Sequence, residues 1–113
     1  MPFINVKTNK QVAADVAESV KSKLGQAVTA IPGKSEGWLM VGLEDGGKLW
    51  FKGSDAPAAM VQVSIFGSAS SGALTDLTGR ICGIMSTDLG IPADRVYVSY
   101  MCTDNWGWNN MNF

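Results

Sequence analysis

The sequence predicts a duplicated α/β sandwich, with a four-stranded mixed sheet carrying two helices on one face. Three observations point to it. The chain reads strand–helix–strand twice over, an Ile-Pro pair follows each helix (Ile31-Pro32 and Ile91-Pro92), and 113 residues are enough for one such domain but not two. Residues 3–8 (FINVKT) alternate and carry β-formers, so a strand opens the chain. Thr8-Asn9-Lys10-Gln11 has the pattern of a capping box. From Val12, the series Val16, Val20, Leu24 and Val28 recurs every four residues, which predicts a helix over about residues 10–30, stopped by Ile31-Pro32-Gly33.

Residues 38–43 (WLMVGL) read as the second strand and Glu44 to Gly47 as a turn. Residues 48–52 (KLWFK) predict a short edge strand, closed by Gly53-Ser54-Asp55. In residues 60–66, Val61, Val63 and Ile65 face one way and Gln62 and Ser64 the other. A Ser/Ala/Gly-rich loop reaches Gly72, and a second amphipathic helix presents Leu74, Leu77, Ile81, Ile84, Met85 and Leu89. The last long strand, residues 96–102, alternates Val96, Val98 and Tyr100 with Tyr97 and Ser99, and a short tail from Asn105 ends the chain. The sheet face away from the helices would then show Gln62, Ser64, Tyr97 and Ser99. Such a face is either solvated or lines a wet channel in an oligomer, and four tryptophans and six methionines favour the oligomer.

Composition narrows the chemistry. Nine basic against ten acidic residues leave no cationic footprint for nucleic acid. No apolar run approaches the ~18 residues of a membrane span and no signal peptide opens the chain, so a cytoplasmic protein is expected. There is no histidine. That removes the commonest general base, the commonest zinc ligand and every Ser-His or Cys-His nucleophile, and two cysteines alone build no ordinary zinc site. No metal and no cofactor is expected. Proton transfer near neutral pH would need a perturbed Cys, Lys or carboxylate, or the α-amino group, which ordinarily titrates at about 7.7–8.0.

Met1-Pro2 offers such an amine. Pro2 is small enough for the initiator methionine to be removed, and a secondary amine buried among apolar groups loses its charged form more readily. Taken alone, Met-Pro is also an ordinary start. Lys34 could hold a carboxylate or depress a nearby amine, or simply be a solvated loop charge. Cys82 and Cys102 form no C-x-x-C and read as free thiols, and the glycines from Gly67 to Gly72 fit no phosphate or dinucleotide loop. Trp106-Gly107-Trp108 reads as aromatic core, interface or pocket wall.

Met1-Pro2 opens a strand that ends in Thr8-Asn9, and Gly33-Lys34 stands before the next strand. Gly53-Ser54 is followed by Pro57, Phe66-Gly67 precedes the second helix, and Asp94-Arg95-Val96-Tyr97-Val98 leads to Gly107-Trp108-Asn109. In this order and spacing they resemble the macrophage migration inhibitory factor family across essentially the whole chain. The resemblance implies a homotrimer around a central channel, with sites between subunits, and keto-enol tautomerisation of phenylpyruvate-like aromatic 2-keto acids. It places the catalytic base on Pro2, the substrate carboxylate on Lys34, and the pocket-lining backbone at Ile65 and Phe66. Tyr97 would come from the neighbouring subunit, with Trp106 and Trp108 near the rim. The resemblance also leaves open a cytokine-like protein, secreted without a signal peptide and engaging a protein receptor. Ser99 stands where better-known members carry Asn, Phe66 and Trp106 replace aliphatic residues, and Trp38 replaces Tyr. The family's C-x-x-C is Ala58-Ala59-Met60-Val61 here, so no dithiol chemistry is expected at that place.

Overall fold

The computed structural model describes residues 1–113. Strand β1 (Pro2–Thr8) leads to helix α1 (Ala14–Ala27) and strand β2 (Met40–Glu44), and strand β3 (Ala59–Phe66) to helix α2 (Ser71–Leu89) and strand β4 (Val96–Thr103). The sheet order is β2-β1-β3-β4. Each half contributes one parallel pair, β1 with β2 and β3 with β4, and the halves meet antiparallel through β1 and β3. The sheet is therefore mixed, as the duplicated sequence predicts.

Both helices pack on one face. Val20, Leu24 and Ala27 of α1 and Leu77, Ile81, Met85 and Leu89 of α2 close over Ile4, Val6, Val61, Val63 and Ile65 of the central strands in one core. The matched isoleucines, Ile31 and Ile91, are both buried in it, which is why the Ile-Pro pair recurs: the isoleucine anchors the chain leaving each helix and the proline forbids its continuation. Gly90 ends α2 at φ 67°, and the Ile91 N–H reaches back to Met85 O at 3.1 Å. Asp88 ties the two helices together, accepting from Ser19 Oγ at 2.8 Å and Lys23 Nζ at 2.5 Å.

Three sequence expectations are corrected. Thr8-Asn9-Lys10-Gln11 does not cap α1: Thr8 still belongs to β1, paired with Ala59, and its hydroxyl donates to Ala58 O at 2.8 Å. The helix begins at Ala14, after Asp45 has accepted the Val12 N–H at 2.8 Å. The tetrapeptide pattern could not reveal that the hydroxyl was already engaged across the fold. Residues 48–52 form no edge strand. Only a bridge joins Phe51 to Ser54 across a tight reversal with Lys52 at φ 52° and Gly53 at φ 75°. The carbonyls of this loop are satisfied by side chains instead of a neighbouring strand, Asn9 bonding Leu49, Asp55 and Ala56. The tail is a small hairpin, β5 (Gly107–Trp108) with β6 (Met111–Asn112), turned by Asn109 and Asn110 at positive φ.

The face away from the helices is open. Its rows run Met40–Phe3–Ser64–Met101, Gly42–Asn5–Gln62–Ser99 and Glu44–Lys7–Met60–Tyr97. Gly42 leaves room for the Asn5 amide, which donates to Glu44 at 2.8 Å. The face is less polar than its sequence suggests, because Met40 and Met101 are exposed beside the expected polar residues. No helix is long and apolar enough to cross a membrane.

Candidate active site

Most of the site residues predicted from the sequence lie around the start of β1. Pro2 is the first residue of the strand, where its missing N–H costs no ladder bond, and it pairs with Ile65. The Ile65 side chain is fully buried in the core, so only its backbone serves this end. Phe66 is bonded on both sides: its N–H donates to Met1 O at 3.2 Å, and its carbonyl accepts from Lys34 Nζ at 2.8 Å. Lys34 leaves the loop after Ile31, where the left-handed Gly33 (φ 81°) turns the chain back towards β3. One bond to Phe66 uses one of the three ammonium donors and leaves two for a carboxylate.

With Met1 in place, the free amine is that of Met1 and the Pro2 nitrogen is an amide. The amine is held below its ordinary value of 8.0, first by burial and then by the neighbouring Lys34 ammonium. Both effects penalise the protonated form, so this end of the chain favours a neutral nitrogen.

Aromatic side chains surround it. Met1, Trp38, Phe66 and Phe113 line a mostly apolar cleft of about 400 Å³. A second cleft, of about 390 Å³, lies among Pro2, Phe3, Trp38, Trp106 and Trp108. Trp38 meets Trp108 edge to face at 5.1 Å, and Phe66 meets Phe113 at 5.6 Å between ring centres. Trp38 sits in a 3₁₀ turn (Glu36–Trp38) and not in the strand predicted over residues 38–43, which begins at Met40. That turn swings its indole out to the cleft, where it stays half exposed. No group of three or more His, Cys, Asp or Glu is placed to hold a metal ion.

Pro2, Lys34, Ile65, Phe66, Trp38, Trp106 and Trp108 thus gather at one end of a single chain. Tyr97 and Ser99 do not join them. Tyr97 is paired with Met60, which is paired with Lys7. Those pairings put Tyr97 about 17 Å along the strands from Pro2 and two strands over. It is 62% exposed, and Ser99 is exposed on the open sheet face. Phe113 is the site residue that sequence reasoning missed. Its signal was Trp108-Asn109-Asn110-Met111, a two-residue hairpin turn that returns the chain so that the Phe113 N–H donates to Trp106 O at 3.0 Å.

The chain matches the family Macrophage migration inhibitory factor (MIF) over residues 1–112. It is 30% identical to macrophage migration inhibitory factor of Mus musculus over 115 aligned residues, covering 100% of this chain and 99% of the relative. The crystal structure of Leishmania major MIF2 superposes with a TM-score of 0.93 at 32% identity, over 100% of this chain and 97% of that one. The macrophage migration inhibitory factor homologue from Prochlorococcus marinus superposes with a TM-score of 0.80 at 30% identity, over 98% of each chain. Fold, extent and sequence agree: the chain belongs to the macrophage migration inhibitory factor family, within the tautomerase superfamily.

Proposed function

We propose that the protein is a keto-enol tautomerase for phenylpyruvate-like aromatic 2-keto acids, with Pro2 as general base after removal of Met1. The observation that carries this reading is the convergence of the chain's amine end, the Lys34 ammonium and the Phe66 backbone beside aromatic clefts. Loss of Met1 would turn the Pro2 amide into a secondary amine and open the buried Pro2 to the cleft. The neutral amine then takes a proton from the carbon next to the ketone. Lys34 holds the carboxylate, the aromatic walls hold the ring, and the resulting ammonium returns the proton to the enolate oxygen. The reverse order carries enol to ketone.

The site is incomplete in one chain, since Tyr97 projects from the far end of the sheet. A homotrimer in which Tyr97 of one subunit approaches Pro2 of the next accounts for this, and for Met40, Met101 and Tyr97 exposed on one face. The test is turnover of enol-phenylpyruvate by protein whose intact mass shows Pro2 as the first residue. Saturable turnover well above that of free proline at the same concentration is expected. Turnover no faster than free proline would overturn the proposal, and receptor binding retained in such a protein would favour the cytokine-like reading.

A further inference from the structure

Arg95 and Asn9 each make four side-chain hydrogen bonds, more than any other residue in the protein. The Arg95 guanidinium donates to four carbonyls of one loop: Pro57 at 2.8 Å, Ala56 at 2.8 Å, Ser54 at 3.0 Å and Phe51 at 3.3 Å. It also lies over the Phe51 ring at 5.3 Å. Phe51 in turn meets Tyr97 edge to face, with ring centres 5.0 Å apart and planes at 76°. Arg95 ends a 3₁₀ turn (Ala93–Arg95) and stands two residues before Tyr97, on the strand that forms the sheet's edge. Tyr97 is 62% exposed, and the Phe51 ring is the aromatic contact it makes.

We propose that Arg95 and Phe51 are positioning residues that fix the direction in which Tyr97 projects, and thereby set how tightly an aromatic keto acid is held. The inference rests on the reading that Tyr97 serves a neighbouring subunit's site. A guanidinium is suited to the task because its rigid five-donor fork reaches all four carbonyls at once, more than the three donors of a lysine ammonium can serve. The two residues touch neither the base nor Lys34, so they act on binding and leave proton transfer alone.

The test compares Arg95→Lys, Phe51→Leu, Phe51→Tyr and Tyr97→Ala by KM and kcat for phenylpyruvate, by the pH–rate profile, and by the mass of the assembly. Arg95→Lys and Phe51→Leu are expected to raise KM about fivefold, the scale of one lost aromatic pair, with kcat, the apparent pKa and the assembly unchanged. Phe51→Tyr, which keeps the ring, should restore the original KM. In a Tyr97→Ala background, neither Arg95→Lys nor Phe51→Leu should add to the effect. An increase in KM from Tyr97→Ala without one from Arg95→Lys or Phe51→Leu would overturn the positioning role alone, as would full additivity in the double variants. An unchanged KM in Tyr97→Ala would overturn the underlying placement of Tyr97, and this inference with it. Should Arg95→Lys fail to assemble, Phe51→Leu alone and combined with Tyr97→Ala gives the same decision.

Discussion

Replacing Pro2 with Gly is expected to lower kcat/KM for phenylpyruvate by about 10²- to 10⁴-fold, the range a positioned general base contributes. The ring ties the Pro2 nitrogen to a backbone fixed by pairing with Ile65, so the basic lone pair is held in one direction. Glycine keeps an amine but frees its orientation, and it changes a secondary amine to a primary one. The core residues Ile4 and Val6 of β1 are untouched by the substitution, so the melting temperature and assembly mass should not change. A protein that keeps Met1 provides the complementary arm. There the Pro2 nitrogen is an amide with no basic lone pair, and turnover should fall to a comparable level. Turnover in either form close to that of the processed parent would remove Pro2 from the mechanism.

Lys34→Ala should act twice. If Lys34 holds the substrate carboxylate as proposed, its loss is expected to lower kcat/KM by about 10- to 100-fold, mostly through KM, since a hydrogen bond to a charged group is worth about 1.5–3 kcal/mol. The second effect is on the base. The Lys34 charge helps hold the Met1 amine below its ordinary value, though burial contributes more, and the same charge stands beside Pro2 through the Phe66 carbonyl next to Ile65. Removing Lys34 therefore raises the amine's pKa, and the ascending limb of the pH–rate profile moves to higher pH. Lys34→Gln, which retains a donor without the charge, should recover part of the binding but none of the shift. A profile unmoved in both variants would mean that Lys34 stands too far from the working base to influence it.

The fold was legible because its signals were local and repeated. The four-residue spacing from Val16 to Val28, the alternation through Val61, Val63 and Ile65, and the two Ile-Pro stops each depend on neighbours in sequence, and all reappear in the core. What misled were residues whose partners lie far along the chain. Thr8 looks like a helix cap, but its hydroxyl is bonded 50 residues away to Ala58. The KLWFK segment has strand composition, but its carbonyls are taken by Asn9 and Arg95. At the site, Lys34 and Phe66 are joined across 32 residues by a bond that no spacing rule expresses, and only the resemblance assigned both to one site. Phe113 went unread because the tail looked irregular, whereas two adjacent asparagines at positive φ fold it back on Trp106.

The absence of histidine left the chain's own amine as the ordinary group that titrates near neutral pH, and the structure surrounds that amine with burial and a cation. The pH–rate profile of the tautomerase reaction, on protein verified by mass to begin at Pro2, tests this most directly. A base works unprotonated, so the rate should rise with pH through a single apparent pKa. Pro2 is buried and pairs with Ile65, next to the Phe66 carbonyl that Lys34 holds. The burial and cation that lower the pKa of the Met1 amine therefore act on it too, and the midpoint should fall below the ordinary α-amine range of about 7.7–8.0. A midpoint at or above that range, or a rate that does not change with pH, would contradict a desolvated Pro2 amine as the base.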